Sequence, residues 1–427
     1  MTEQIMRGRK VIPGGVSSPL RACRNVDIEP IVTISGNGEL IFDCNENKYI
    51  DFMYGFGPLI LGHSHAVIVE AIQKQAKIGM LYGTMCLNEI ELAEEIVKTA
   101  EFIEQVRFVC SGTEAVMSAI RLARAYTKRT KILRFKGGYH GHFDLVQNKS
   151  SSKYIESGLD PAAMESNIIV SYNNIEEVKN VFKKFHREIA AVVIEPIACN
   201  MSLIEPHSEF LKELRLICNQ EESLLIFDEV ISGFRFNYGP VSNLLGVEPD
   251  IVTFGKIIGG GTPVGAFGGR KVLMDLLDQE QILQGGTFAG NPLTMAAGLA
   301  TLKVLSDPAT YSELERKGKL LQDCIGKYKK EYDLNFIFAR KGSVFAFIFL
   351  PEGHAIDDHE DISKQSSLIY ARFYQEMRYR GYHLTPDVEE TMYVSLASLD
   401  TSLERFAKDA CEVIRDFRTF ARNEPIL

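Results

Sequence analysis

The sequence predicts an α/β protein with a mostly parallel central sheet, helices on both of its faces, and a smaller α+β domain. Three observations carry that expectation. Between residues 105 and 256, short continuous apolar runs alternate with helical stretches, as expected for strands buried on both faces and joined by crossover helices. The two ends of the chain instead show alternating, meander-like strands and long amphipathic helices. The 427 residues, 45% apolar and 24% charged, are enough for a large core and more than one domain.

In chain order, "NGELIFDCNENKYIDFM" (37–53) alternates like a small antiparallel meander, with Asn45, Glu46 and Asn47 at a turn. This N-terminal segment is expected to span 1–60 and a large ligand-binding domain 61–305. In the latter, "QVRFVC" (105–110) reads as a strand and "EAVMSAIRLARAYTKR" (114–129) as the amphipathic helix after it. "KILRFK" (131–136), "IAAVVIEP" (189–196), "SLLIFDEV" (223–230) and "DIVTFGK" (250–256) read as further strands. The seven glycines of 253–269 look like loop, and "KSSSK" (149–153) is the nearest thing to a linker. From 306 to 427 helices alternate with strands such as "SVFAFIFL" (343–350), which gives the small α+β domain.

A net charge of −9 with no long basic run argues against nucleic-acid binding. The N-terminus is too polar for a signal sequence, and no apolar stretch approaches the roughly 20 residues a membrane span needs. Eight scattered cysteines without a C-x-x-C pair read as reduced thiols of a cytoplasmic protein. The pairs His63/His65 and His140/His142 lack a nearby third ligand and read as loop histidines, so no metal is expected.

Four polar features fall at strand ends. Ser111-Gly112-Thr113-Glu114 fits a capping box, and a helix start after a strand is also an anion site. Asp228 closes an apolar strand, either as a helix-start residue or as a charge kept for a cationic partner. Tyr139 and His140 follow a strand on a glycine turn; the tyrosine either stacks on a flat ligand or packs on its own domain. Lys256 lies among glycines but fits neither G-x-x-x-x-G-K-[ST] nor G-x-G-x-x-G, which leaves a desolvated amine suited to attack carbonyls. Together these supply what pyridoxal 5′-phosphate requires: an amine for its aldehyde, a carboxylate for its ring nitrogen, an anion cup and an aromatic face.

"IPGGVSSPLRA" (12–22), "GPLILGHSH" (57–65), "RFVCSGTEAVMSAIRLARAYT" (107–127), "YHGH" (139–142), "DEVISGFR" (228–235), "GKIIGGGTPVGAFGGR" (255–270) and "GGTFAGNPL" (285–293) together resemble the class III aminotransferases of fold type I. The first of these and the lysine run are most similar to the aminomutase branch. The resemblance implies that Lys256 binds the cofactor covalently and then shuttles protons. It pairs Asp228 with the pyridinium nitrogen, places Val230 beneath the ring and Tyr139 stacked on it, and sets Asn200 near the ring hydroxyl. It also makes Ser111, Gly112 and Thr113 the phosphate cup, completed by Thr287 of a second subunit in a homodimer. Ser18 and Arg21 would meet the substrate carboxylate, with Phe56 as an aromatic wall.

Transaminases of this class usually clamp a keto-acid carboxylate with an arginine near the C-terminal domain. Here the stretch 383–398 has no arginine and is acidic, with Glu390 where the aminomutases carry a glutamate. The implied activity is therefore intramolecular. Starting from the pyridoxamine 5′-phosphate form, glutamate-1-semialdehyde would pass through bound 4,5-diaminovalerate to 5-aminolevulinate, the tetrapyrrole precursor. The alternative is an ω-aminotransferase, or a mutase with another substrate. The gating segment (147–167) departs from the family's K-A-G-S-G pattern, Phe56 replaces a tryptophan, Cys110 an asparagine and Ser398 a histidine.

Overall fold

The structure is a computed structural model that describes residues 2–147, 158–279, 281–351 and 353–421, the last four of these by backbone only. The chain forms two compact units, one of Ala66–Tyr311 with Asp357–His359, the other of Met1–His65, Ser312–Ile356 and Glu360–Leu427. The N-terminal segment and the C-terminal region thus share one unit.

The first of these units is built on seven strands: β1 (Gln105–Val109), β2 (Lys131–Phe135), β3 (Asn167–Val170), β4 (Ile189–Ile194), β5 (Leu224–Asp228), β6 (Ile251–Gly255) and β7 (Gly265–Gly269). Their order is β1-β7-β6-β5-β4-β2-β3. Neighbours from β6 to β3 pair in parallel, and β7 runs antiparallel to both β1 and β6. The apolar runs are buried on both faces, as their composition requires. On one face helix α1 (Gly112–Thr127) packs Ala115, Ala119, Ile120 and Ala123 against Ala191, Val193, Ile226 and Phe267. On the other, Phe135 meets Phe210 and Phe254 meets Phe234, with ring centroids 5.6 and 5.7 Å apart.

One element departs from the sequence reading. The glycine run taken as loop contains β7, and its glycines are there for close approach. A Cβ on Gly268 would lie 2.6 Å from the carbonyl oxygen of Gln105, and one on Gly265 would overlap that of Ser111. Strand β3 was also not anticipated, because "NIIV" is too short to stand out by periodicity.

In the other unit, strands Thr33–Asn37, Leu40–Asp43 and Lys48–Asp51 form the expected antiparallel meander, and Tyr382–His383 extends it in parallel. A separate antiparallel sheet joins Ile337–Lys341, Val344–Ile348 and Met392–Tyr393. The core is aromatic: Phe52 lies 4.1 Å from Phe406 and 5.7 Å from Phe345, centroid to centroid. Residues 148–157 of the expected gating segment lie outside the described residues. Its described end holds a short helix, Pro161–Glu165, capped by Asp160.

Candidate active site

Because β1 and β6 are both antiparallel to β7, they run parallel to each other. The carboxyl ends of β1, β2, β4, β5 and β6 therefore share one edge of the sheet, where ligands bind in open α/β folds. That topology gathers Ser111 after β1, Tyr139 after β2, Asn200 after β4, Asp228 at the end of β5 and Lys256 after β6. Lys256 adopts a left-handed conformation, φ 47°, which costs an L-residue about 1 kcal/mol and is found where a side chain must be aimed.

Asp228 is buried, with both its oxygens hydrogen-bonded and Oδ2 holding a single partner. Its Oδ2 lies 2.7 Å from His140 Nδ1, and its Oδ1 accepts from Thr253 Oγ1 and from the Val230 N–H, both at 3.2 Å. A carboxylate only accepts, so His140 Nδ1 carries the proton. The other ring nitrogen of His140, also buried, has no hydrogen-bond partner among the described residues. One strong acceptor held from three sides at a strand end suits the ring nitrogen of a cationic heterocycle.

At the start of α1 a variant of the capping box forms, in which Glu114 reaches the N–H of Cys110, one residue before the Ser111 cap, and not that of Ser111 itself. Ser111 Oγ accepts from the Glu114 N–H (3.2 Å), and Glu114 Oε2 accepts from the Cys110 N–H (2.8 Å). Capping and anion binding are compatible here. The box uses the N–H groups of Cys110 and Glu114 and leaves those of Gly112 and Thr113 at the helix start for an anion. The isopropyl group of Val230 presses on this turn: a Cβ on Gly112 would lie 2.8 Å from Val230 Cγ1. Helix start, apolar side chain, buried carboxylate and lysine along one edge fit a phosphorylated aromatic cofactor.

The sequence matches the family Aminotransferase class-III over residues 22–372. The chain belongs to the class III aminotransferases. Glutamate-1-semialdehyde 2,1-aminomutase of Francisella philomiragia is 43% identical over 402 residues, 92% of this chain and 93% of that protein. The protein of the same name from Clostridium kluyveri is 41% identical over 403 residues, 92% of this chain and 95% of the relative. Among solved structures, an omega-transaminase from Sphaerobacter thermophilus superposes with a TM-score of 0.90 at 32% identity, covering 97% of both chains. A glutamate-1-semialdehyde-aminomutase from Pseudomonas aeruginosa in complex with PMP has a TM-score of 0.86 at 22% identity, covering 96% of this chain and 94% of that one, and shares the fold.

In this aminotransferase two residues join the cluster that motif reading left aside. His140 is a loop histidine, as expected, and from that loop it grips Asp228. Glu195, one residue past β4, accepts from Asn200 Nδ2 (2.9 Å), the Cys199 N–H (3.1 Å) and the Tyr139 N–H (3.4 Å). Its burial pushes the carboxyl pKa up; Asp228 adds to that, while His140 and Lys256 oppose it. The signal was available, because Glu195 closes an apolar strand just as Asp228 does. Of the second histidine pair, His142 Nδ1 lies 3.2 Å from Thr113 Oγ1.

Tyr139, at this edge, is 58% exposed. Thr287 is exposed, in a segment tied to α1 by Arg121 Nη1 donating to the Leu283 carbonyl (3.0 Å), and no hydrogen bond joins it to Ser111, Gly112 or Thr113. Ser18, Arg21, Phe56 and Glu390 belong to the other compact unit. There Ser18 precedes the turn Pro19–Ala22, which carries an exposed Arg21. Phe56, at φ 66°, sits on a turn whose Met53 and Tyr54 N–H groups are held by Asp51 Oδ1. Asp51 is in turn 2.7 Å from His63 Nε2. Glu390 is half-buried on the turn that opens at Asp387. No helix among the described residues is long and apolar enough to cross a membrane.

Proposed function

We propose that the protein is a pyridoxal 5′-phosphate-dependent intramolecular aminotransferase that converts glutamate-1-semialdehyde to 5-aminolevulinate in tetrapyrrole synthesis. The observation that carries the substrate assignment is the whole-length likeness to proteins named for that reaction. The cofactor, in its pyridoxal and pyridoxamine forms, supplies a ring that accepts the electron pair left when a proton departs the carbon bearing nitrogen. Lys256 Nζ would hold it covalently and, when not so engaged, would take and return that proton. Asp228 would keep the ring nitrogen protonated, and His140 keeps Asp228 oriented. The N–H groups of Gly112 and Thr113 would bind the phosphate, joined by the Ser111 hydroxyl once it turns from Glu114 Oε2; Val230 and Tyr139 would flank the ring, and Asn200 would meet its hydroxyl. Ser18 and Arg21 orient the substrate carboxylate beside Phe56, and Glu390 repels a second one.

The working form is a cytoplasmic homodimer in which Thr287 reaches the partner's phosphate. In support, Thr287 lies between Leu283, 92% exposed, and Phe288, 62% exposed. Exposed Met80 belongs to the same surface, since Asn291 Nδ2 donates to its carbonyl at 3.1 Å. Apolar groups in such number are usually covered by a partner.

The likeness to an omega-transaminase favours a second reading, amino transfer between two molecules. The purified enzyme, loaded with pyridoxamine 5′-phosphate and given glutamate-1-semialdehyde alone, is expected to accumulate 5-aminolevulinate over many turnovers. Turnover that stops without an added keto acid or amine replaces the first reading with the second.

A further inference from the structure

We propose that Glu195 is a positioning residue that fixes the side-chain amide of Asn200, and thereby the donor offered to the cofactor's ring hydroxyl. The inference rests on the pyridoxal phosphate reading above.

Four N–H groups converge on this one buried carboxylate. Asn200 Nδ2 (2.9 Å) and the Tyr139 N–H (3.4 Å) reach Oε1; the N–H groups of Cys199 (3.1 Å) and Asn200 (3.4 Å) reach Oε2. A carboxylate offers only acceptors, so the Asn200 amide must turn its nitrogen, never its oxygen, toward Glu195. That leaves the second Nδ2 hydrogen and Oδ1 in fixed directions. Through the same oxygens Glu195 ties the loop after β2 to the loop after β4. Its bond to the Tyr139 N–H, next in the chain to the His140 that grips Asp228, sets this tie beside the buried carboxylate.

Glu195→Gln keeps the volume and changes the polarity. It has one acceptor oxygen for four donors, and its amino group faces one of the two pairs. Peptide N–H groups cannot reverse, but the Asn200 amide can, by turning Oδ1 to the new amino group. The donor aimed at the ring hydroxyl is then lost. A hydrogen bond donated to an oxygen anion stabilises the anion, so its loss raises the pH at which the cofactor ionises.

The test is the pH titration of the visible absorption band of pyridoxal phosphate bound to wild type, Glu195→Gln, Asn200→Ala and the double variant. Both single variants are expected to raise the midpoint by about one pH unit, and the double variant by no more than the larger single shift. Turnover with glutamate-1-semialdehyde is expected to fall about tenfold in kcat with little change in KM. A Glu195→Gln midpoint equal to wild type, or shifts that add in the double variant, overturns the proposal. If Glu195→Gln does not fold, Glu195→Asp keeps the charge and withdraws it by one methylene, and an unshifted midpoint there overturns it equally. Wild-type protein that gives no visible band overturns the cofactor reading and this proposal with it; a normal wild-type band with an unmoved variant overturns this proposal alone.

Discussion

At the scale of single residues, the candidate chemistry rests on polar groups that end apolar strands. Asp228 was legible because a carboxylate at the end of "LLIF" has no place in a core unless something needs it. What the sequence could not supply was its partner, since His140 is 88 positions earlier and reaches it only through the sheet. Replacing Asp228 by Asn keeps the size but removes the negative charge that would hold the ring nitrogen protonated. Asp228→Asn is expected to retain the cofactor on Lys256 and to lose about 100-fold or more in kcat. Single-turnover kinetics on the loaded enzyme check this, and a loss under threefold would remove Asp228 from the reaction.

At the scale of elements, β7 is the part of the sheet that pattern reading misses. Period and composition identify strands through their side chains, and "GAFGG" has almost none. Its glycines matter for what they leave out, which becomes visible only when Ser111, Gln105 and Asp250 are placed around them. Gly265→Ala would push a methyl group into the Ser111 carbonyl, disturbing both the β1–β7 pairing and the start of α1. The expected cost is on the order of 3 kcal/mol, read as a fall in the denaturation midpoint. Gly326→Ala is the control. It lies in the helix Pro308–Glu331 with open space around it and is expected to be neutral or stabilising by up to about 1 kcal/mol. Equal costs at the two sites would contradict the steric account of β7.

Across the whole molecule, buried titratable groups give stability an opposed pH dependence in the two units. Burial pushes the Glu229 carboxyl up to about 8, against the N–H groups of Val241 and Ser242 that favour its ionised form. Below the ordinary carboxylate pKa it is protonated whether the chain is folded or not. As pH rises toward 8 the unfolded chain gives up this proton first, so the stability it contributed is lost. His383, in the other unit, is pushed down to about 4 by burial, with the Arg378 and His63 charges adding to the effect and Asp51 opposing it. It stays neutral when folded, so its contribution is present above the ordinary histidine pKa and is lost as pH falls toward 4. Melting curves at pH 5, 6, 7 and 8 are expected to show a shallower decline toward pH 8 in Glu229→Gln, and a shallower acid-side loss in His383→Asn. Variant slopes equal to wild type would refute the assignment.

Local pattern alone determined that the chain alternates buried strands with helices, that the meander turns at Asn45–Asn47, and that Ser111, Asp228 and Lys256 sit where strands end. These follow from side-chain periodicity and from the cost of burying charge, both of which act over a few neighbouring residues. Only the tertiary structure decided that β7 reverses between β1 and β6, which brings five strand ends to one edge. Only it joined His140 to Asp228 and closed Glu195 around Asn200 and Tyr139. Those outcomes depend on contacts between segments tens of residues apart, where hydrogen-bond geometry and steric exclusion choose partners that no local window contains.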